Sequence, residues 1–501
     1  MPKATSSTWS TTHEEGGQDT RAPVAGENPE GARLRDDEPS ACVLPGAHPG
    51  GRTGSDPQGS QAIADDAVDV RAGTVTFRGT AGLDDVQRSA VEACCDATKR
   101  IVAVTGEAGT GKTTILKYAY EALVRSGYRV ALCAPTGKAA KRIREATGIP
   151  AKTIHMLLEY THPGERNPKT GEYFGYSFPR RDNTNPLPFD FVFADEYAMV
   201  TWEMHGALMA ALPRKIVHGK EVLPTGSIRM FGDAHQLPPI EKDKSLLSKP
   251  SPFETMLKKF PSFELLTQYR QGEGSGILEN GRRIMVGRAP QSMADCRIYV
   301  TDNPIAALSR YVDKRYMTTE YQVITPSNKT WVGTLALNGM LQNMLRDRDP
   351  SLGWISLPRH KWVKSEVVVA PGDKVIITNN DYDLGVFNGE SGIITAIEQG
   401  ETLVIDLGDR VVKIPPEIEK RNQYGRMYFI DPRRDIDLAY AITTHKAQGS
   451  EYKEVVYVLN RSTCYGQNRR NFYTGITRAR EKAIVLSDMA SMHMSIRKRG
   501  K

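Results

Sequence analysis

Gly106-Glu107-Ala108-Gly109-Thr110-Gly111-Lys112-Thr113 fits the pattern G-x-x-x-x-G-K-[ST] at every fixed position, directly after the apolar run Ile101-Val102-Ala103-Val104. The glycines free consecutive backbone N–H groups to turn inward around the α- and β-phosphates of a nucleoside triphosphate. The segment from Thr113 and Thr114 to Arg125 reads as a helix whose N-terminus favours the same negative charge. Lys112 supplies a point charge for the β- and γ-phosphates, and the Thr113 hydroxyl is left to ligate Mg²⁺. An accidental glycine-rich turn has no reason to fall in register between a buried-type strand and an alanine- and leucine-bearing helix. The same strand–loop–helix sets the fold class, because strands buried on both faces and alternating with helices build parallel sheets.

The alternation continues along the chain. Short β-branched or aromatic runs recur at 130–133, 191–194, 228–231, 322–325, 455–458 and 483–486, with helical segments between most of them. They form two blocks, roughly 83–262 and 263–495, the second interrupted. Ligands on such sheets sit at the carboxyl ends of the strands, and two strand ends in the first block carry chemistry. Asp195-Glu196 closes the strand Phe191-Val192-Phe193-Ala194; Asp195 suits a Mg²⁺ shell, and Glu196 suits orienting and deprotonating an attacking water. Gly232-Asp233-Ala234-His235-Gln236-Leu237 follows another strand and brings Gln236 to the level of the γ-phosphate.

Composition narrows the setting. A chain of 501 residues is too long for one core, so three or four domains are expected. No stretch approaches the roughly 18 uninterrupted apolar residues of a membrane span. The start, Met1-Pro2-Lys3-Ala4-Thr5-Ser6-Ser7, lacks the apolar core of a signal peptide, so a cytoplasmic location is expected. Cys42, Cys94, Cys95, Cys133, Cys296 and Cys464 show no C-x-x-C pair and read as free thiols. Residues 1–82 carry 12 Asp and Glu against 7 Lys and Arg, with many Gly, Pro, Ser and Thr, and read as a disordered acidic tail. Taking that −5 from the total of +7 leaves +12 on residues 83–501, which suits a polyanionic partner without demanding one. The tail reads either as a tether or as a competitor for a basic groove.

Eight blocks in order, GEAGTGKTT (106–114), CAPTGKAAKRI (133–143), KTIH (152–155), FVFADEYAM (191–199), FGDAHQLPP (231–239), LTQYRQ (266–271), AYAITTHKAQGSEY (439–452) and YTGITRARE (473–481), resemble those of the superfamily 1 helicases. The likeness is greatest to the RecD-like and Dda-like branch of phage and bacterial enzymes and covers nearly all of 83–487. It implies two tandem RecA-like parallel-sheet domains, 83–262 and 263–356 with 434–495. It also implies a β-hairpin inserted in the first at about 160–188 and an SH3-like β-barrel inserted in the second at 357–433. The implied activity is ATP-driven 5′ to 3′ movement on single-stranded DNA and unwinding of a fork, with ATP and Mg²⁺ as cofactors. Replication, recombination and repair are open, as are a single-strand binding protein or replisome component as partner and a monomeric state. An RNA helicase, or a P-loop ATPase that remodels a protein, are the rival readings.

The resemblance carries roles to named residues. Lys112, Glu196, Gln236, Arg270 and Arg478 become catalytic, the two arginines reaching the γ-phosphate from the second domain so that cleft closure and hydrolysis coincide. Gln87 resembles an adenine-reading glutamine, although it also reads as a polar residue in a helix's first turn. Gly449 and Glu451 join the phosphate loop, Gly106 to Thr114, as nucleotide contacts. Pro135, Thr136 and Lys138 with Lys141 and Arg142, His155, Thr325, Asn328, Thr444 and His445 become contacts to DNA phosphates. In the hairpin insertion Phe174, Tyr176 or Phe178 is a candidate to stack on the last base pair, or else packs the hairpin onto its domain. Phe387-Asn388-Gly389-Glu390-Ser391-Gly392 resembles the characteristic turn of the inserted barrel, which is expected to meet the hairpin across the strand. The sequence departs from the family at Tyr197, a bulky ring beside the Asp195-Glu196 pair.

Overall fold

The computed structural model describes residues 68–71, 74–77, 82–161, 177–217, 220–269, 274–346, 350–359, 366–381, 383–421 and 426–498. The strand Ile101–Gly106 that delivers the phosphate loop lies inside a six-stranded sheet. The order across it is Ser262–Leu265, Ile101–Gly106, Ser227–Gly232, Phe191–Ala194, Val130–Ala134 and Ala151–Thr153. Every neighbouring pair is parallel. The central strands are apolar on both faces because helices cover both. The edge strand Ser262–Leu265 lies past the expected limit at 262, so the first sheet extends further along the chain. Only its register with Ile101–Gly106 reveals this, since Ser-Phe-Glu-Leu is too short to announce its sheet.

The helix Lys112–Arg125 buries Ile115, Leu116, Ala119, Ala122 and Leu123, a stripe at helical spacing. Beside it lies Asp85–Cys95, opened by a capping box in which Asp84 accepts from Gln87 N and Gln87 accepts from Asp84 N. Its far end is closed by a buried cation. Arg229, from the middle of the Ser227–Gly232 strand, donates to the carbonyls of Cys94 (2.7 Å), Asp96 (2.8 Å) and Lys99 (2.8 Å). The positive charge meets the negative end of the helix and satisfies carbonyls with no intrahelical partner.

The second sheet has five parallel strands, in the order Cys296–Val300, Ala479–Ser487, Tyr452–Leu459, Tyr321–Thr325 and Ala441–Thr443. Its interruption is an antiparallel sheet of Val411–Ile414, Thr402–Asp406, Ser391–Glu398, Lys374–Ile377 and Ile436–Leu438. Ile436–Leu438 closes this sheet, so the interruption runs beyond 433. Val367–Val369 pairs instead with Ile355–Leu357, outside the five strands. Val375, Ile394, Leu403 and Ile405 share one apolar cluster with Val323, Leu337 and Val456, so the insertion is packed into its host.

A further difference lies in the acidic tail, where Val68–Arg71 pairs antiparallel with Thr74–Phe77. The alternating valines and threonines around Ala72-Gly73 carry a hairpin signal that the composition of residues 1–82 averaged away. The rest of that tail up to residue 81 lies outside the described residues, as do 162–176 with Phe174 and Tyr176, and 270–273 with Arg270. Cys94, Cys95, Cys133 and Cys296 are free and buried. No described helix is long and apolar enough to cross a membrane.

Candidate active site and nucleic-acid cleft

The phosphate loop is held from beneath by its own chain and by Gln87. Gly109 and Gly111 adopt φ of 84° and 87°, and at Gly111 an added Cβ would lie 2.4 Å from Gln87 Nε2. Glycine is required there on both counts. Gln87 Nε2 donates to Thr110 O (3.1 Å) while its Oε1 accepts from Asp84 N (3.2 Å). Gln87 thus spends one donor and one lone pair on bracing the loop, although it still borders the cavity. Lys112 Nζ donates to the carbonyls of Gly106 (2.7 Å) and Glu107 (2.8 Å).

A cavity of about 350 Å³ opens above the loop. Ala108, Gly109 and Gly111 to Thr114 form its floor, Asp195, Glu196 and Gln236 line it from the first sheet, and Glu451 and Arg478 line it from the second. Gly106, Glu107 and Thr110 brace the loop without lining this cavity. Thr110 Oγ1 donates to Glu107 O (2.9 Å), and the Glu107 carboxylate accepts from Gln268 Nε2 (3.1 Å) and pairs with Arg282 (3.1 Å). Gly449 is misplaced by the sequence reading. It sits at φ 70° beside Thr136 and Ala139, outside the cavity, because the chain turns there before Glu451 reaches the site.

Two polar atoms are buried in this wall with no hydrogen-bond partner among the described residues, Gln236 Oε1 and Arg478 Nε. Arg478 Nη1 donates to Ser450 O (3.3 Å), and Gln236 Nε2 donates to Asp233 Oδ2 (3.3 Å). Burial, then the neighbouring Glu196, push Asp195 up to about 6. Glu196 holds a left-handed backbone, φ 51°, uncommon outside glycine and Asn or Asp and typical of a constrained turn. The bulky Tyr197 is accommodated by full burial, its hydroxyl on His205 Nδ1 (2.9 Å) and its ring near Phe253.

Sequence reasoning gave no site role to Gly82, Ala139, Ile143 and Tyr269, which line this cavity, and misassigned Arg142. Leu83 and Tyr269 border it, and Tyr269 is anchored by its N–H to Gly109 O (2.9 Å) and its hydroxyl to Asp84 (3.0 Å). Arg142, expected at DNA phosphates, faces the nucleotide side and pairs with Glu451. Burial works against its charge, but Glu451 and Glu196 outweigh it and raise its pKa. The signal was present in the helix Gly137–Thr147, since Ala139, Arg142 and Ile143 share one face by their i, i+3, i+4 spacing. Lys141 turns the other way, to Asp409 at 3.0 Å.

Among the described residues no cluster of three or more His, Cys, Asp or Glu is placed to hold a metal by itself. That suits Mg²⁺, which takes few protein ligands and completes its shell with phosphates and water. The buried Asp195 carboxylate and the Thr113 hydroxyl border one cavity, a hard-oxygen pair that fits such an ion.

A second cleft of about 430 Å³ joins the two sheets and the insertion. Pro135, Thr136, Lys138 and His155 line it from the first sheet, His445 and Lys446 from the second, and Phe387, Asn388 and Gly389 from the insertion. Burial lowers the pKa of both His155 and His445, favouring neutral donors there. Thr136 Oγ1 accepts from Ala139 N, so it caps a helix as well as lining the cleft. Two expected contacts are corrected. Thr325 is fully buried with its hydroxyl on Val332 O (2.9 Å), and Thr444 is fully buried at the start of the short helix Thr444–Ala447 that carries His445. Asn328 lines a separate cavity of about 530 Å³ that shares Lys446 with the cleft. Phe387 also packs on Gly137, where an added Cβ would lie 3.2 Å from it, so the insertion meets the first sheet's helix. On either side of residues 162–176, Tyr160 pairs antiparallel with Pro179, and Thr161 N donates to Phe178 O (2.9 Å).

Residues 87–242 match the family described as AAA domain, and residues 438–486 match the UvrD-like helicase C-terminal domain. The chain is 31% identical over 405 residues to the ATP-dependent RecD2 DNA helicase of Deinococcus radiodurans, covering 80% of this chain and 48% of that one. It is 28% identical over 452 residues to the RecBCD enzyme subunit RecD of Mycolicibacterium smegmatis, covering 83% and 73% respectively. The chain thus spans about half the length of the Deinococcus relative. A Pif1 helicase from Bacteroides, solved with ADP-AlF3 and ssDNA, shares the fold, with a TM-score of 0.52 at 22% identity over 82% of this chain and 94% of that one. Motifs in that order on two parallel sheets, with the two family matches and the RecD relatives, support a superfamily 1 helicase of the RecD-like branch.

Proposed function

We propose that this protein is an ATP-driven DNA helicase that moves 5′ to 3′ along a single strand and opens duplex DNA at a fork. The observation that carries the reading is the pair of buried atoms Gln236 Oε1 and Arg478 Nε, without a partner among the described residues, on two residues that line one cavity above the phosphate-binding loop from two different sheets. A γ-phosphate bound above Lys112 supplies the acceptor that Arg478 lacks. Lys112 then exchanges its two backbone carbonyls for phosphate oxygens. Glu196 orients the attacking water and takes its proton, and Arg478 stabilises the charge that develops as the terminal P–O bond breaks. Arg270 is proposed as a second such arginine. Thr113 and Asp195 would hold Mg²⁺, which would supply charge neutralisation to the phosphates.

Because Gln236 and Arg478 belong to different domains, hydrolysis requires the two sheets to approach, and each approach moves the second cleft. A strand in that cleft runs past Pro135, Thr136 and Lys138, then His155, His445 and Lys446, and on towards Asn328. The inserted sheet, proposed to be SH3-like, and the proposed hairpin insertion flank it, with an aromatic such as Phe174 as the wedge at the fork. The ssDNA held by the Bacteroides Pif1 structure and the DNA helicase named in Deinococcus support DNA as the substrate. A cytoplasmic monomer acting in recombination, repair or replication, alone or beside a single-strand binding protein or replisome component, follows from the same reading. The test is unwinding of forked duplexes carrying a 5′ or a 3′ single-stranded tail, with ATPase stimulation by ssDNA and ssRNA measured alongside. Opening from the 5′ tail is expected. Opening from the 3′ tail alone reverses the polarity, and stimulation by RNA in preference to DNA changes the substrate.

A further inference from the structure

Asp233 is one of the points at which the two halves of the molecule meet, bonded to Gln236 of the nucleotide cavity. Its Oδ2 accepts from Gln236 Nε2 (3.3 Å) and from the Tyr473 hydroxyl (2.8 Å), while its Oδ1 accepts from His235 N (2.9 Å). Tyr473 lies in the helix Arg469–Ile476, which packs on the second sheet, and Arg478 follows that helix by two residues. Asp233, Gln236, Tyr473 and Arg478 are all buried. One carboxylate therefore ties the sensing glutamine of the first domain to the helix that delivers the arginine of the second.

The tie is directional. The Gln236 carboxamide is held at its nitrogen end by Asp233, which leaves its buried oxygen without a partner among the described residues, on a side chain that lines the cavity. Asp233 in turn is held by a charge-assisted bond from the tyrosine, of the kind that is short and strong. The tyrosine ring has little freedom of its own. It stands edge-on to His235 with centroids 5.8 Å apart, and on its other side an added Cβ at Gly281 would lie 3.1 Å away. The next residue of the helix reinforces the seat, because Thr474 Oγ1 accepts from Leu237 N (3.0 Å).

We infer that Tyr473 is a positioning residue for ATP turnover: through Asp233 it aims Gln236 at the γ-phosphate only while the helix Arg469–Ile476 is seated, so that Gln236 and Arg478 engage together. The inference rests on the reading of the site as an ATP-hydrolysing one. Tyr473→Phe keeps the ring and removes the hydroxyl. Its kcat for ssDNA-stimulated hydrolysis is expected to fall roughly tenfold or more, the scale of one lost hydrogen bond to a charged group, with KM for ATP within about twofold. If Tyr473 acts through Gln236, the double variant Tyr473→Phe with Gln236→Ala is no slower than Gln236→Ala alone, whereas unconnected residues add their losses. The same cycle with Asp233→Asn, which keeps the shape and removes the charge, is expected to be non-additive too and serves should Tyr473→Phe not fold. Wild-type kcat in the single variant, or additive losses in the cycle, overturns the inference alone. A wild-type protein that turns over no ATP overturns the functional reading and this inference with it.

Discussion

Lys112 is bonded to two carbonyls of its own loop, and no described carboxylate pairs with it, so its removal costs the fold little and the phosphate site its charge. Lys112→Ala is expected to abolish ATP turnover with an unchanged circular dichroism spectrum; retained hydrolysis sinks the site assignment. Glu196→Gln keeps the shape of the turn but cannot accept a proton. It is expected to bind ATP and strand while turning over about 10²-fold slower or worse, and a near-normal rate means another base is used. His205 offers a residue-scale test of stability. Burial pushes it down to about 4, below the ordinary 6.5 of an unfolded histidine, so the folded protein binds fewer protons than the unfolded chain between those values. Its contribution is complete above pH 6.5 and is lost as the pH falls to about 4, roughly 3 kcal/mol in all. His205→Gln, which can still bond the Tyr197 hydroxyl, is expected to flatten the fall of the melting temperature between pH 7 and 4.5 relative to the parent.

At the scale of elements, the helix Gly137–Thr147 separates two functions by its periodicity. Ala139, Arg142 and Ile143 face the nucleotide, while Lys138 and Lys141 face the insertion. The motif order put all its cations on the nucleic-acid side, but the spacing within the helix already divided them. Arg229 is the other informative element-level residue, a fully buried cation in a central strand that closes a helix. Arg229→Met fills the space but leaves the carbonyls of Cys94, Asp96 and Lys99 buried without a donor. It is expected to cost about 3 kcal/mol or more in a urea unfolding series, well beyond an ordinary large-to-methionine change. A change within 0.5 kcal/mol defeats this account of the buried charge. Nothing in the sequence announced it, because the carbonyls that accept its N–H groups lie about 130 residues earlier in the chain.

At the scale of the molecule, the insertion shares its core with the second sheet and touches the first through Phe387 on Gly137 and Asp409 on Lys141. The cleft is therefore walled by three parts of the chain, so strand binding reports on the arrangement of all three. Thr161 and Phe178, on either side of residues 162–176, lie outside the nucleotide cavity. Trimming residues 162–176 to a short turn is expected to reduce fork unwinding several-fold more than ssDNA-stimulated ATPase. Equal losses in both remove the wedge from the mechanism.

The sequence by itself determined the phosphate loop, the Asp195-Glu196 strand end, the strand end that precedes Gln236 and the parallel α/β class. Those features depend on local spacing and on which residues tolerate burial, and both are written in consecutive residues. Tertiary structure alone decided that Ser262–Leu265 belongs to the first sheet, that Thr325 and Thr444 are buried, and that Gly449 stands off the cavity. It alone joined Asp233 to Tyr473, 240 residues apart. Each of these depends on how one element packs against another distant in the chain, where register and burial, rather than residue type, set what a side chain can reach.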